Sequence, residues 1–195
     1  RSLGGNAVLD VNFDSSDNIA ILAPMATTTG NITMTSSAAG VITDSAGTLT
    51  TANDDVVING ATVATIGGDV NAGTGDLQVT AVQTTIGGNV TVDDATITGT
   101  NFVVVNGDIT AANSAGLTGG SVDVNGAITA DTFTSTGTTF ISTAGGDVTG
   151  TTSVSILHTD AVALGGDVLS GAAGSITVGA GTTGTGDISF GTVRI

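Results

Sequence analysis

The sequence predicts an all-β fold, a parallel β-helix, on three observations. First, the tetrapeptide Gly67-Gly68-Asp69-Val70 returns as Gly87-Gly88-Asn89-Val90, Asn106-Gly107-Asp108-Ile109, Asn125-Gly126-Ala127-Ile128, Gly145-Gly146-Asp147-Val148 and Gly165-Gly166-Asp167-Val168, with a shortened Gly186-Asp187-Ile188 after them. The second Gly of each copy falls at 68, 88, 107, 126, 146, 166 and 186, a step of 19 or 20 residues. A fixed period of this size marks a solenoid, whose turns bury their apolar faces only against their neighbours. Second, apolar and polar residues alternate with period two after each marker, the pattern of a half-buried strand. Third, 31 Gly and a wealth of Thr, Val, Ile, Asn and Ser, with no 3.6-residue apolar stripe, disfavour helix.

Within a coil, the second residue after the marker Gly is Val70, Val90, Ile109, Ile128, Val148, Val168 or Ile188, which defines an inward column. Its polar neighbours, such as Asn71, Thr91, Thr110 and Thr149, point outward. A second apolar cluster contains Leu77, Val79, Ile97, Leu117, Ile176 and Val178. A third precedes the next marker: Val82 and Ile86, Phe102 and Val104, Val122 and Val124, Val162 and Leu164. Each coil therefore carries three short strands, and sharp corners between them call for Gly and Asn at positive φ. About ten coils stacked at ~4.8 Å give a rod of roughly 45–50 Å.

Residues 1–29 fit the period poorly and read as irregular N-terminal coils or a subunit junction; residues 30–195 read as the solenoid proper. Gly30-Asn31-Ile32 and Gly47-Thr48-Leu49 are taken as the earliest marker copies. The chain starts at Arg1 without a visible signal peptide, as a processed product or a fragment would. No apolar run approaches the ~20 residues that span a membrane.

Charge narrows the function classes. All 17 acidic residues are Asp, Lys is absent, and the two cations are Arg1 and Arg194, for a net charge of −15. Nucleic acid is excluded as a partner, because phosphate binding needs clustered Lys and Arg. A polysaccharide lyase is excluded on the same ground, since it needs a cation beside the substrate carboxylate. Absence of Cys leaves the redox compartment unread.

Few residues suggest chemistry. Asp54-Asp55 and Asp93-Asp94 are adjacent pairs and read as turn residues. His158, the single histidine, has no second ligand near it in sequence, so no catalytic or metal role is assigned. Asn31-Ile32-Thr33 and Asn89-Val90-Thr91 match the glycosylation triplet. No cofactor is expected, although the column Asp69, Asp108, Asp147, Asp167 and Asp187 supplies the oxygen ligands that calcium prefers. Both termini are strand-like and uncapped, which points to a head-to-tail polymer junction formed by Arg1, Ala7, Val8, Leu9, Arg194 and Ile195.

The 19–20-residue coil, the Gly-Gly-Asp/Asn-Val corner and the Thr/Val alternation resemble the repeat regions of filamentous haemagglutinin-type exoproteins and autotransporter passengers. The resemblance spans roughly residues 30–195 and is one of repeat style; the Asn-Pro-Asn signature of two-partner secretion is not found. It implies a right-handed β-helix exported to a prokaryotic cell surface as a stalk, adhesin or fibre. Such a protein is not an enzyme; its partners are its own copies, the remainder of a longer chain, or a surface or glycan ligand. Two other classes compete. A glycoside hydrolase would use paired Asp residues, but Asp is spread here about one per coil. An ice-binding solenoid would show two Thr columns; after the marker, Thr33, Thr91, Thr110, Thr129 and Thr149 form one, while the next outward position reads Gly73, Asp93, Ala112, Asp131 and Thr151.

Overall fold

A computed structural model describes residues 5–7, 10–43, 46–179, 188–189 and 192–194; side chains are described for 10–41, 43 and 46–179. The described residues contain strands and no helix, and all the strands join one hydrogen-bonded sheet that winds into a parallel β-solenoid. Three walls run along it. The first wall stacks Met25, Leu49, Val70, Val90, Ile109, Ile128, Val148 and Val168 in register. The second stacks Val11, Ile32, Val56, Leu77, Ala95, Ala115, Phe133, Val154 and Ile176. The third stacks Ile19, Val41, Ala64, Thr84, Val103, Val122, Phe140 and Val162.

Period-two alternation holds in every wall, because successive side chains of a strand point to opposite faces. The inward set forms one apolar core along the axis, in which Val70, Val90, Ile109, Ile128, Val148 and Val168 are each at most 1 % exposed. Phe133 and Phe140 are the bulkiest fully buried side chains; apart from His158, the rest of the buried set is aliphatic or small.

Four sequence expectations need correction. The strands of the middle coils are not three short pieces: Val90–Val105 and Ile109–Val124 each run on through all three walls, bent where the register shifts. Gly30-Asn31-Ile32 is not a marker copy, since Ile32 pairs with Val11 and Val56 on the second wall; the first-wall counterpart of Leu49 is Met25. In the third cluster Val82 is exposed and Phe102 and Val104 face outward half-buried, while Val103 and Val105 fill the bore. Finally, the marker glycines among the described residues do not carry positive φ. Among the described residues that backbone belongs to Gly30, Gly73, Gly137 and Asn53.

The marker glycines are needed for closeness. A Cβ on Gly107 would lie 2.1 Å from the carbonyl oxygen of Gly88 one coil before, and one on Gly126 would lie 2.3 Å from that of Gly107. Stacked corners touch backbone to backbone, and no side chain fits between them.

Upstream of residue 30 the strand pairing continues. Val11–Ser15 pairs with Ile32–Ser36, Ile19–Ile21 with Gly40–Thr43, and Met25–Thr27 with Leu49–Thr50, all parallel. No helix of the described residues is long and apolar enough to cross a membrane.

Candidate functional site

The polar chemistry of the chain is concentrated at the corners, in ladders that run parallel to the axis. At the corner before the first wall, Asn89, Asp108, Ala127 and Asp167, each preceding an inward aliphatic, turn the N–H toward the coil before. An Asp or Asn side chain there accepts it: Asn89 N–H donates to Asp69 Oδ1 (2.8 Å), Asp108 N–H to Asn89 Oδ1 (3.0 Å), Ala127 N–H to Asp108 Oδ1 (2.9 Å) and Asp167 N–H to Asp147 Oδ1 (2.8 Å). The next N–H along, on the aliphatic residue itself, donates forward to a main-chain carbonyl, as Val70 does to Asn89. The side-chain oxygen thus accepts a donor that the main-chain ladder leaves over at the bend. Pro24 holds the same position before Met25 and, having no N–H, needs no acceptor.

The four described members of the sequence-derived calcium column, Asp69, Asp108, Asp147 and Asp167, all stand on this ladder; the first three accept these bonds and Asp167 donates its N–H. Asp187 lies outside the described residues. So do Arg1, Val8, Leu9 and Ile195 of the expected junction; Ala7 and Arg194 belong to the strands Gly5–Ala7 and Thr192–Arg194, whose side chains are not described.

Sequence reasoning missed a second ladder of the same kind at the corner before the second wall. Asn31 N–H donates to Asp10 Oδ1 (2.8 Å), Asp55 to Asn31 (2.9 Å), Asp76 to Asp55 (3.0 Å), Asp94 to Asp76 (3.2 Å) and Ser114 to Asp94 (2.8 Å). Its signal is in the sequence as Asp10-Val11, Asn31-Ile32, Asp55-Val56 and Asp76-Leu77: an Asp or Asn directly before an inward aliphatic residue. At the third corner one such bond occurs, from Gly40 N–H to Asn18 Oδ1 (3.0 Å). Inside the bore, the buried hydroxyls of Thr43 and Ser142 accept the N–H groups of Gly67 (3.0 Å) and Gly165 (3.2 Å).

Among the described residues, three carboxylates converge at the second corner. One oxygen each from Asp76, Asp93 and Asp94 lie within 4.8 Å of one another, beside a shallow hollow of about 170 Å³ lined also by Asp55, Gln78 and Thr96. Burial, and then the charges of Asp55, Asp94 and Asp93, raise the Asp76 carboxyl above its ordinary value, while the Asp94 N–H works the other way. An all-oxygen set of this kind suits a hard cation. Within the adjacent pairs, Asp55 and Asp94 each accept the N–H of the following coil, and Asp54 accepts the Gly30 N–H at 2.9 Å. Asp131 accepts from Thr151 and Thr152, which holds its carboxyl below the ordinary value.

His158 is apart from the acidic corners. It follows the second wall in register with Gly137, whose lack of a side chain leaves room for the imidazole: a Cβ there would lie 3.3 Å from the ring's Cε1. The ring is 3 % exposed, its Nε2 is 2.9 Å from Ser135 Oγ, its centroid is 5.6 Å from that of Phe140, and Nδ1 has no partner. Burial lowers its pKa to about 4. The folded state therefore prefers the neutral ring, and this contribution is present above pH ~6.5 and is lost as pH falls toward 4, on the order of 3 kcal/mol in all. Acid titration of melting temperature should show wild type falling more steeply than His158→Met between those limits; parallel curves would place the ring in water.

The first ladder contains its own test. Ala127 has no side-chain oxygen to offer the N–H of Asp147, which stands in register above it. Ala127→Asn should extend the ladder and stabilise the chain by ~0.5–1 kcal/mol. A melting temperature at or below wild type would show that these bonds add nothing.

No family model matches this chain, and neither a curated protein nor a solved structure matches it.

Proposed function

We propose that the chain is a structural and adhesive β-solenoid, a segment of a filament or stalk at the outer surface of a prokaryotic cell. It joins head-to-tail to its own copies or to the remainder of a longer chain. The observation that carries this reading is the uniformity of the stack. Between Met25 and Val168 every coil pairs in parallel with the coils on both sides, and the first-wall step varies only from the 19 residues between Val90 and Ile109 to the 24 between Met25 and Leu49. What such a repeat generates is length and stiffness, since each coil is held by its neighbours through backbone ladders, corner ladders and a shared core.

A non-enzymatic role fits the same geometry. Apart from the convergence of Asp76, Asp93 and Asp94, the corner Asp side chains are spread one per coil and engaged with N–H donors along the axis. A joint that continues the coil stack is heterologous and builds an open filament. Negative-stain micrographs of the purified chain should show rods or filaments one solenoid wide that lengthen with concentration. Compact particles, or a stable monomer in sedimentation at high concentration with no fibres, would overturn the polymer.

A further inference from the structure

We propose that the outer surface of the second wall is a binding face for ordered water, with ice as its ligand. Whereas the matching pair of columns on the third wall carries Phe102, Asp123 and Ile141, this wall presents two outward columns side by side without a charge. In one, Thr80, Thr98, Thr118 and Thr136 occupy successive coils in unbroken register; beside it stand Thr96 and Thr134. Gln78 and Gly116 complete that second column, both uncharged. One full Thr column, with Thr in alternate coils of the column beside it, thus stands one wall further on than the position after the marker Gly.

All six Thr side chains are exposed except Thr98, which is half-buried. The hydroxyls of Thr118 and Thr136 stand 3.3 Å apart. Residues 77–81, 95–99, 115–119 and 133–137 carry no charge, in a chain of net charge −15. High β-propensity explains Thr at any outward position, but Val and Ile would serve equally there. What propensity leaves unexplained is the repeated hydroxyl and methyl in register over four coils.

The spacing is fixed by the fold: ~6.6 Å between alternate residues of a strand and ~4.8 Å between coils. Both fall near oxygen repeats on the faces of hexagonal ice. Branching at Cβ holds each Thr in few rotamers, so the array is organised before it meets a ligand. The corner bonds from Asp94 N–H to Asp76 and from Ser114 N–H to Asp94 hold the strand starts at one edge of the array. Other occupants fit less well. A crystalline polysaccharide would call for aromatic platforms, and the chain has no Trp or Tyr. A second copy would bring the acidic corners of both chains together, a like-charge contact.

This reading does not depend on filament formation and is tested apart from it. Nanolitre osmometry on the wild-type chain would measure freezing hysteresis and crystal shape, with Thr98→Tyr and Thr118→Tyr as variants and Thr110→Tyr on the first wall as control, all first matched in melting temperature. The expected result is faceted crystals and a freezing gap in wild type and Thr110→Tyr, both lost in the two second-wall variants. Wild type without shaping or hysteresis would overturn the proposal, as would equal loss in Thr110→Tyr or retention in Thr98→Tyr. Lateral dimers in sedimentation that Thr98→Tyr converts to monomers, without ice shaping, would assign the face to a second copy and also overturn it.

Discussion

Val148→Asp is expected to unfold the coils around it. Val148 is fully buried, stacked between Ile128 below and Val168 above, and no cation is described within the bore. A carboxylate placed there must either lose its hydration unpaired or take up a proton, at a cost of ~3–5 kcal/mol. A domain is stable by only ~5–15 kcal/mol, so one such residue removes much of the margin. Because each coil is held only by its neighbours, the damage should divide the rod and not merely soften it. Thermal melting followed by circular dichroism would show a large fall or a split transition. The control is Thr149→Asp, one residue on and facing outward, which should stay within about 0.5 kcal/mol of wild type. Equal behaviour of the two variants would mean that the alternation is assigned to the wrong face.

Gly107→Val should be comparably damaging for a different reason. A Cβ at 107 meets the Gly88 oxygen at 2.1 Å and its carbonyl carbon at 2.4 Å, both main-chain atoms that cannot swing aside. The corner would have to open and would take the Asn89–Asp108 bond with it, so the loss should reach ~3 kcal/mol or more. Gly116→Ala is the matched comparison: its Cβ would find nothing nearer than 3.5 Å, and the change should be neutral or stabilise by up to ~0.5–1 kcal/mol through the unfolded chain. If Gly107→Val melted with Gly116→Ala, close corner stacking would not be what the glycines provide.

How much of this was legible depended on whether a position repeats in phase. The inward column from Val70 to Val168 was readable because each member follows a doubled Gly or Asn-Gly at a near-constant step. The third wall misled where Phe102-Val103-Val104-Val105 is apolar throughout, so that alternation carries no phase and both readings bury a residue. Gly30-Asn31-Ile32 was assigned to the wrong corner because two corners use the same device, an Asp or Asn ahead of an aliphatic. The second ladder escaped notice for a related reason: its later members are Ser114 and residues that cannot accept in the same way, so its column fades along the chain. The slot for His158 had no local signal. It is made by Gly137, which is adjacent to the ring only after the coils stack. The Thr column of the second wall was hidden likewise, since the step between its residues follows that wall and not the marker.

The claim on which the rest stands is that coils stack in the stated register along one axis. The chain lacks Cys, so a nitroxide pair can be placed by Thr50→Cys and Thr149→Cys without background. Both sites are outward on the first wall, linked through Asn71, Thr91, Thr110 and Thr129, five inter-coil steps in all. Pulsed dipolar spectroscopy should therefore give one narrow distance near 24 Å, from ~4.8 Å per step. A broad distribution, or a maximum far from that value across these 99 residues of sequence, would contradict the solenoid and everything argued from it.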